Sequence, residues 1–317
     1  MSQPLPAPVA GPRPRRRLRP GRGEGIQGAL FVLPAAAVLG IFLIYPMIWT
    51  IRLSLDEGFG LELTRWVGLD NFRELLTEDP GFLDRSEFPP TGALVNNLRW
   101  VVLYTALCLV LGLLIAVLAA RVRYESFLKA VVFVPMAISA TAVAVIWLFV
   151  YSPDPQIGVV NALLSGGGFD PISWVGREST VNYAIIAAYI WASTGFAMVV
   201  LSAALKGIPT EIIEAARVDG AGELTIFRRI TLPMLSLPIA VVTVWLLINV
   251  IKVFDIVYVM TRGGPSGASR VIAYAVVDET FENGRAGYGA AIAVIMLLLV
   301  VPIMALNIRR FRSERLA

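Results

Sequence analysis

Apolar residues fall into six long blocks, at 28–51, 98–120, 128–151, 181–205, 234–260 and 288–308, each with few charges. A hydrocarbon core about 30 Å thick needs about 20 helical residues at 1.5 Å each, and every block meets that length. The pattern therefore predicts an all-α, polytopic membrane protein with about six transmembrane helices. Arg99, Lys129, Lys252 and Asp255 lie toward block ends, where long side chains snorkel or pair. Pro153 and Pro155 close the third block, and Gly263, Gly264 and Pro265 are expected to end the fifth sharply. The intervening segments differ in kind: 56–95 is long and acidic, 152–180 is rich in Gly and Pro, and no repeat of fixed period is visible. An even number of crossings puts both termini on one side.

Composition agrees with lipid as the solvent. The chain is 57% hydrophobic and 16% charged, with a mean hydropathy of +0.72, against roughly 45–50% and about 25% in soluble domains. Residues 1–25 carry Arg13, Arg15, Arg16, Arg17, Arg19 and Arg22 among Pro and Gly, which predicts a disordered basic tail before one transmembrane domain at 26–317. A signal peptide is the rival reading; the first apolar block exceeds a signal core and shows no clear small-residue cleavage site.

Charge sets the orientation. The face formed by the tail, 121–129, 206–233 and 309–317 holds 17 Lys/Arg and 7 Asp/Glu; the opposite loops, with Arg99, hold 8 and 15. The positive-inside rule makes the first face cytoplasmic, with both termini there. The pI of about 9.4 thus reports topology, not nucleic-acid binding, and the Arg-rich tail reads as a topology anchor facing anionic lipid. Cys108 stands alone in an apolar run, a small hydrophobe with no disulfide partner in the chain. Histidine is absent, which removes the commonest general base and zinc ligand. No catalytic constellation or metal site is expected, and no Walker motif is present, so the chain is expected to bind no nucleotide itself.

The polar segment 206–233 is the most informative. Pro209 and Thr210 open a short helix, with Thr210 as expected N-cap and Glu211 and Glu214 toward its positive end. Gly220, flanked by Asp219 and Gly222, breaks it; a second amphipathic stretch runs through Ile226, Phe227 and Ile230, and Pro233 marks entry to the fifth block. Residue types alone leave open an ordinary interfacial loop or an elbow shaped to dock on another protein.

Glu214-Ala215-Ala216, three residues, Gly220, nine residues, then Ile230-x-Leu232-Pro233 resembles the EAA signature of binding-protein-dependent ABC importer permeases, with every fixed position filled. The resemblance implies a type I importer permease fold in a bacterial inner membrane. It also implies that the elbow is the coupling helix seated on a separate ATPase subunit. Glu214 would face a basic residue there, Ala215 and Ala216 would permit close approach, and Asp219 and Gly220 would form the bend. Leu33-Pro34, Tyr45-Pro46, Gly68-Leu69-Asp70-Asn71-Phe72, Gly158-Val159-Val160-Asn161 and the run Phe254 to Pro265 look like sugar permeases of the maltose and glycerol-phosphate type, nearest in texture to α-glucoside permeases. Implied partners are a second, similar permease, an ATPase dimer that binds ATP and Mg, an extracytoplasmic sugar-binding protein and a di- or oligosaccharide. No cofactor is implied in this chain.

Polar and aromatic residues inside spans are candidates for the sugar path: Asn249 with Trp245 one turn earlier, Tyr258 farther out, and Trp191, Ser193 and Thr194 on the fourth block. Helix–helix hydrogen bonds and an interfacial aromatic belt are the alternatives. Lys252 and Asp255, spaced i, i+3, are expected to form a structural ion pair. A secondary, ion-coupled transporter is the main rival; it would often show repeated halves and buried carboxylates along its path.

Overall fold

The computed structural model describes residues 22–314 other than 61 and 87, and the side chains of 30–302 other than those two. The expected tail lies outside the described residues up to position 21; positions 22–25 are already helical. Two compact units, 1–49 and 50–317, divide the chain. The first holds α1 (Arg22–Leu39), with Pro34 inside it, and a π-helical turn (Gly40–Ile44). It also holds the start of α2 (Tyr45–Leu53), where Tyr45 and Trp49 stack at 6.4 Å. Apolar side chains such as Phe31 and Phe42 are exposed, as lipid as a solvent allows.

The second unit opens with two short helices, α3 (Asp70–Thr77) and α4 (Pro80–Leu83). The long helix α5 (Ala93–Ala119) follows, then α6 (Glu125–Phe133), α7 (Ala140–Val150) and α8 (Val159–Gly166). The long helix α9 (Glu178–Lys206) leads to the elbow, α10 (Thr210–Val218), α11 (Glu223–Ile226) and α12 (Leu232–Met234). Last come α13 (Ser236–Ile251), α14 (Asp255–Thr261), α15 (Ile272–Val277) and α16 (Ala286–Glu314). Among the described residues there is no β-strand, only isolated bridges.

The core is the α5–α9 pair. A Cβ on Gly112 of α5 would meet the Ala197 Cβ at 2.6 Å, and one on Gly195 of α9 would meet the Val132 carbonyl oxygen at 2.7 Å. Lipid gives helices no hydrophobic reason to associate, so close backbone approach at small residues supplies the packing. Trp100, Tyr104 and Cys108 of α5 are buried against this seam, with Tyr189 of α9 at 5.7 Å from Trp100 and 5.0 Å from Tyr104.

Two blocks expected as single spans are broken. The third splits into Glu125–Ala137 and Ala140–Val150, bent by 103°. Pro135 sits in a 3₁₀ turn (Val134–Ala137), and Ser139 leaves helical geometry (φ −62°, ψ 148°) to accept the Ala142 N–H at 3.3 Å, capping α7. The fifth is entered through a 66° bend between Glu223–Met234 and Ser236–Ile251, where Pro233 marks its start, and it stops at Ile251 instead of Met260. Lys252, Val253 and Phe254 (φ −136°, ψ −61°) interrupt it before Asp255 starts α14. The i, i+3 geometry assumed for Lys252 and Asp255 is therefore absent, and no ion pair joins them among the described residues. Three continuous helices and these two bent pairs are apolar enough to cross, and α16 adds a shorter apolar stretch, Ala286–Pro302.

The expected sharp stop near Gly263 is present: Arg262 (φ 49°) and Gly263 (φ 77°) both turn left-handed, and Gly264–Pro265 is cis. Buried asparagines tie this loop to the core. Asn96 donates to the Ala268 and Arg270 carbonyls at 2.9 Å each, Asn97 accepts the Ile272 N–H at 2.7 Å, and Asn182 donates to Asn96 at 3.1 Å and to Ala268. Asn161, fully buried, clips the loop before α9 through Ser152 and Ile172.

In the segment after α2, Asp56 accepts the N–H groups of Thr64 (2.7 Å), Arg65 (3.0 Å) and Gly58 (3.3 Å), with Arg52 at 3.7 Å. Burial raises its pKa, but the three N–H donors and Arg52 outweigh that and hold the carboxyl below its ordinary value. A carboxyl lowered on folding stabilises the fold above its unfolded pKa of about 3.9 and loses that contribution as pH falls through the lower folded value. Protection of the Thr64 and Arg65 amides in hydrogen exchange is therefore expected to hold at neutral pH and to decay only below about pH 4. In Asp56→Asn it is expected to be weakened already at neutral pH.

Candidate functional site

The elbow begins where α9 ends at Lys206. Pro209 (φ −58°, ψ 128°), not the expected Thr210, occupies the N-cap of α10; Thr210 is the first helical residue, and no side chain caps this end. Glu211 lies in the first turn, favourable for the helix dipole. At the other end Gly220 adopts φ +83°, its N–H donating to Arg217 at 3.0 Å while the Ala221 N–H reaches Ala216 at 3.0 Å. This is a Schellman stop, which favours glycine because a side chain is strained at positive φ. Gly222 then caps α11, and helical structure continues through a π turn (Phe227–Thr231) into α12.

Glu223 fastens the two arms. It accepts Arg217 of α10 at 3.0 Å and Arg121, just past α5, at 3.5 Å. Ile226 is buried and Phe227 and Ile230 are half-buried on the inner side. Glu214, Ala215, Asp219, Gly220, Leu232 and Pro233 are exposed, Ala216 is half-buried, and Val218 is 87% exposed. Glu214 also lines a cleft of about 370 Å³ with Val117, Leu205, Ile213 and Phe227, and no ion pair engages it among the described residues. The elbow thus presents an acidic, small-residue and apolar surface, with Arg217 and Glu223 tied up in the clasp behind it.

Of the six path candidates the structure brings three together. Ser193, Trp245 and Asn249 line a cavity of about 180 Å³ with Tyr189, Pro135 and Met136. The Asn249 amide N–H donates to the Trp245 carbonyl at 2.8 Å, leaving its Oδ1 to accept, and the Trp245 ring stacks on Phe196 at 4.0 Å. The other three lie elsewhere. Trp191 meets Trp147 edge-on at 5.8 Å, Thr194 is buried with its hydroxyl on the Ile190 carbonyl at 2.7 Å, and Tyr258 stacks on Phe254 at 5.2 Å. Tyr189 and Met136 were missed by sequence reasoning. Tyr189 carries a usable signal, four residues before Ser193 and so on its face; Met136 enters only because the third block breaks. Among the described residues no group of three His, Cys, Asp or Glu could hold a metal.

A bundle with broken apolar spans, a glycine-stopped elbow and a small polar-aromatic cavity has the architecture of a multi-pass helical membrane protein. Residues 108–309 match the family described as binding-protein-dependent transport system inner membrane component. The chain belongs to that family and is a transport permease of an inner membrane. It is 45% identical over 289 residues to the osmoprotective compounds uptake permease protein GgtC of Synechocystis sp., covering 90% of this chain and 99% of that one. It is 40% identical to the alpha-glucoside transport system permease protein AglF of Rhizobium meliloti, covering 92% and 84%. A bacterial alginate ABC transporter solved with an alginate pentasaccharide-bound periplasmic protein shares the fold, with a TM-score of 0.72 at 24% identity over 90% of this chain and 93% of that one.

Proposed function

We propose that this chain is one half of the translocation path of an ATP-driven importer for a di- or oligosaccharide. A second, similar permease forms the other half, an extracytoplasmic sugar-binding protein delivers the cargo, and an ATPase pair holding ATP and Mg docks on the elbow. The observation that carries the reading is the elbow itself: a glycine-stopped helix pair whose Glu214–Gly220 edge is exposed while Glu223 braces it from behind. Relatives whose names specify α-glucosides and trehalose/maltose support the sugar class. ATP binding draws the ATPases together, and the elbow passes that motion to α9 and α13, biasing a two-state bundle between inward and outward openings. Both termini face the cytoplasm in this arrangement, as the charge bias requires. ATP hydrolysis resides in the partner. The ion-coupled alternative gains nothing: Asp255 starts a short helix and is not among the residues lining the cavity, and among the described residues Lys252 does not pair with it.

The sugar passes the cavity between Trp245, Asn249, Ser193 and Tyr189, where aromatic faces stack on the sugar and Asn249 Oδ1 and the Ser193 hydroxyl bond its hydroxyls. Trp245→Ala removes the stacking face, worth about 1–2 kcal/mol, and is expected to cut uptake of labelled disaccharide about tenfold. Trp191→Ala, which leaves this cavity unchanged, is expected to transport near wild-type levels. Equal uptake in both variants would move the path elsewhere.

A further inference from the structure

The second arm of the elbow and the inner end of α5 enclose a groove of about 470 Å³ that the coupling reading does not use. Its walls are Val110, Leu114 and Val117 on α5, facing Leu224 and Phe227 of the elbow, and Arg121 and Glu223 stand in its lining. Its wall is exposed where a packed interface would bury it: Val110 is 59%, Leu114 50% and Leu224 62% exposed. From Val110 to Arg121 the helix axis advances about 16 Å at 1.5 Å per residue. That is the depth of one leaflet, half of a hydrocarbon core of about 30 Å. The groove is therefore apolar over the length of one acyl chain and ends in arginine where a headgroup begins.

The charge at that end is positive. Glu223 is shared between Arg121 and Arg217, so the trio carries a net +1, and the exposed Arg123 and Arg228 follow closely in the chain. Arginines at the cytoplasmic surface attract anionic lipid, and a guanidinium binds a phosphate by two parallel hydrogen bonds.

We infer that this groove seats one anionic phospholipid of the cytoplasmic leaflet, with an acyl chain between α5 and the second arm of the elbow and its phosphate at Arg121. The seated lipid wedges the elbow against α5 and competes with Glu223 for Arg121. The angle of the coupling surface thereby depends on the lipid around it. The site rests on the cytoplasmic placement of the elbow, and its effect on transport rests on the coupling reading.

The assembled transporter, purified in mild detergent and incubated with equimolar phosphatidylglycerol and phosphatidylcholine, is examined by native mass spectrometry for retained lipid. Wild type is expected to retain phosphatidylglycerol about tenfold over phosphatidylcholine. Arg121→Gln is expected to lower that preference about fivefold. Glu223→Gln, which frees Arg121, is expected to raise it, an opposite sign that general loosening of the fold does not produce. Leu224→Gln, at an exposed position, is expected to lower retention of both lipids. Equal retention of the two lipids by wild type, no retained lipid at all, or a preference unmoved by both charge variants would overturn the proposal. Retention is read without transport. Equal retention of the two lipids by wild type with coupling intact therefore counts against this site alone, and a wild-type lipid preference with a silent Glu214→Lys counts against the coupling reading alone.

Discussion

Glu214→Lys is expected to abolish ATP-driven sugar uptake while the protein still inserts and folds. Glu214 is exposed and makes no ion pair among the described residues, so its reversal removes nothing the fold uses. At a docked surface it sets like charge against a basic partner, a change of several kcal/mol and so at least about 100-fold in affinity. Gly220→Pro tests the same element through the backbone. Gly220 lies at φ +83° and its N–H bonds Arg217; proline is fixed near φ −65° and lacks that N–H, so the elbow reorganises at a cost of about 3 kcal/mol or more. Gly220→Ala meets no atom within 4 Å and bears only the φ penalty, about 1 kcal/mol. Stimulation of ATP hydrolysis by the loaded binding protein should rank wild type, Gly220→Ala, then Gly220→Pro and Glu214→Lys near zero. Wild-type stimulation in both of the last two removes the elbow from the mechanism.

Asn182→Leu is expected to be the most damaging single change to the outer half of the bundle. Its amide donates to Asn96 and Ala268 and its oxygen accepts the Trp100 indole N–H at 3.3 Å, all in buried surroundings. A leucine of similar size leaves the buried indole N–H without its partner, at about 1–3 kcal/mol, while Arg99 still donates to the Asn96 oxygen at 3.3 Å. The loop from Arg262 to Ile272 then loses its anchor to α9, while Asn96 and Asn97 still hold it to α5. A fall in the thermal midpoint of the purified protein of several degrees is expected, with faster proteolysis within 262–272. An unchanged midpoint would show that the asparagine cluster is not what holds the loop.

The parts of the fold visible in the sequence were those governed by an average over many residues. Block lengths gave the long apolar helices. Local geometry was less accessible. An apolar run reads the same whether straight or broken, so 128–151 and 234–260 looked like single helices; Pro135 with Ser139 holds the information that the first is not, whereas the interruption at 252–254 in the second has no proline or glycine to announce it. The Lys252–Asp255 pairing failed for the same reason, since i, i+3 spacing has meaning only inside one helix. The elbow was legible because its signals are strong and close in sequence: Gly220 sits at the positive φ its turn demands, although Pro209 took the cap position assigned to Thr210. The cavity was half legible. Trp245 and Asn249 share a helix face and were found together, whereas Met136 and Tyr189 join them only through packing between α9, α13 and the broken third span.

The most direct test of an ATP-driven path is uptake into proteoliposomes holding the assembled transporter. ATP is enclosed, and labelled α-glucoside with its binding protein is supplied outside, with and without proton and sodium gradients. Accumulation is expected to require enclosed ATP and external binding protein and to be indifferent to both gradients. Accumulation that persists without ATP and follows an imposed ion gradient would contradict the account.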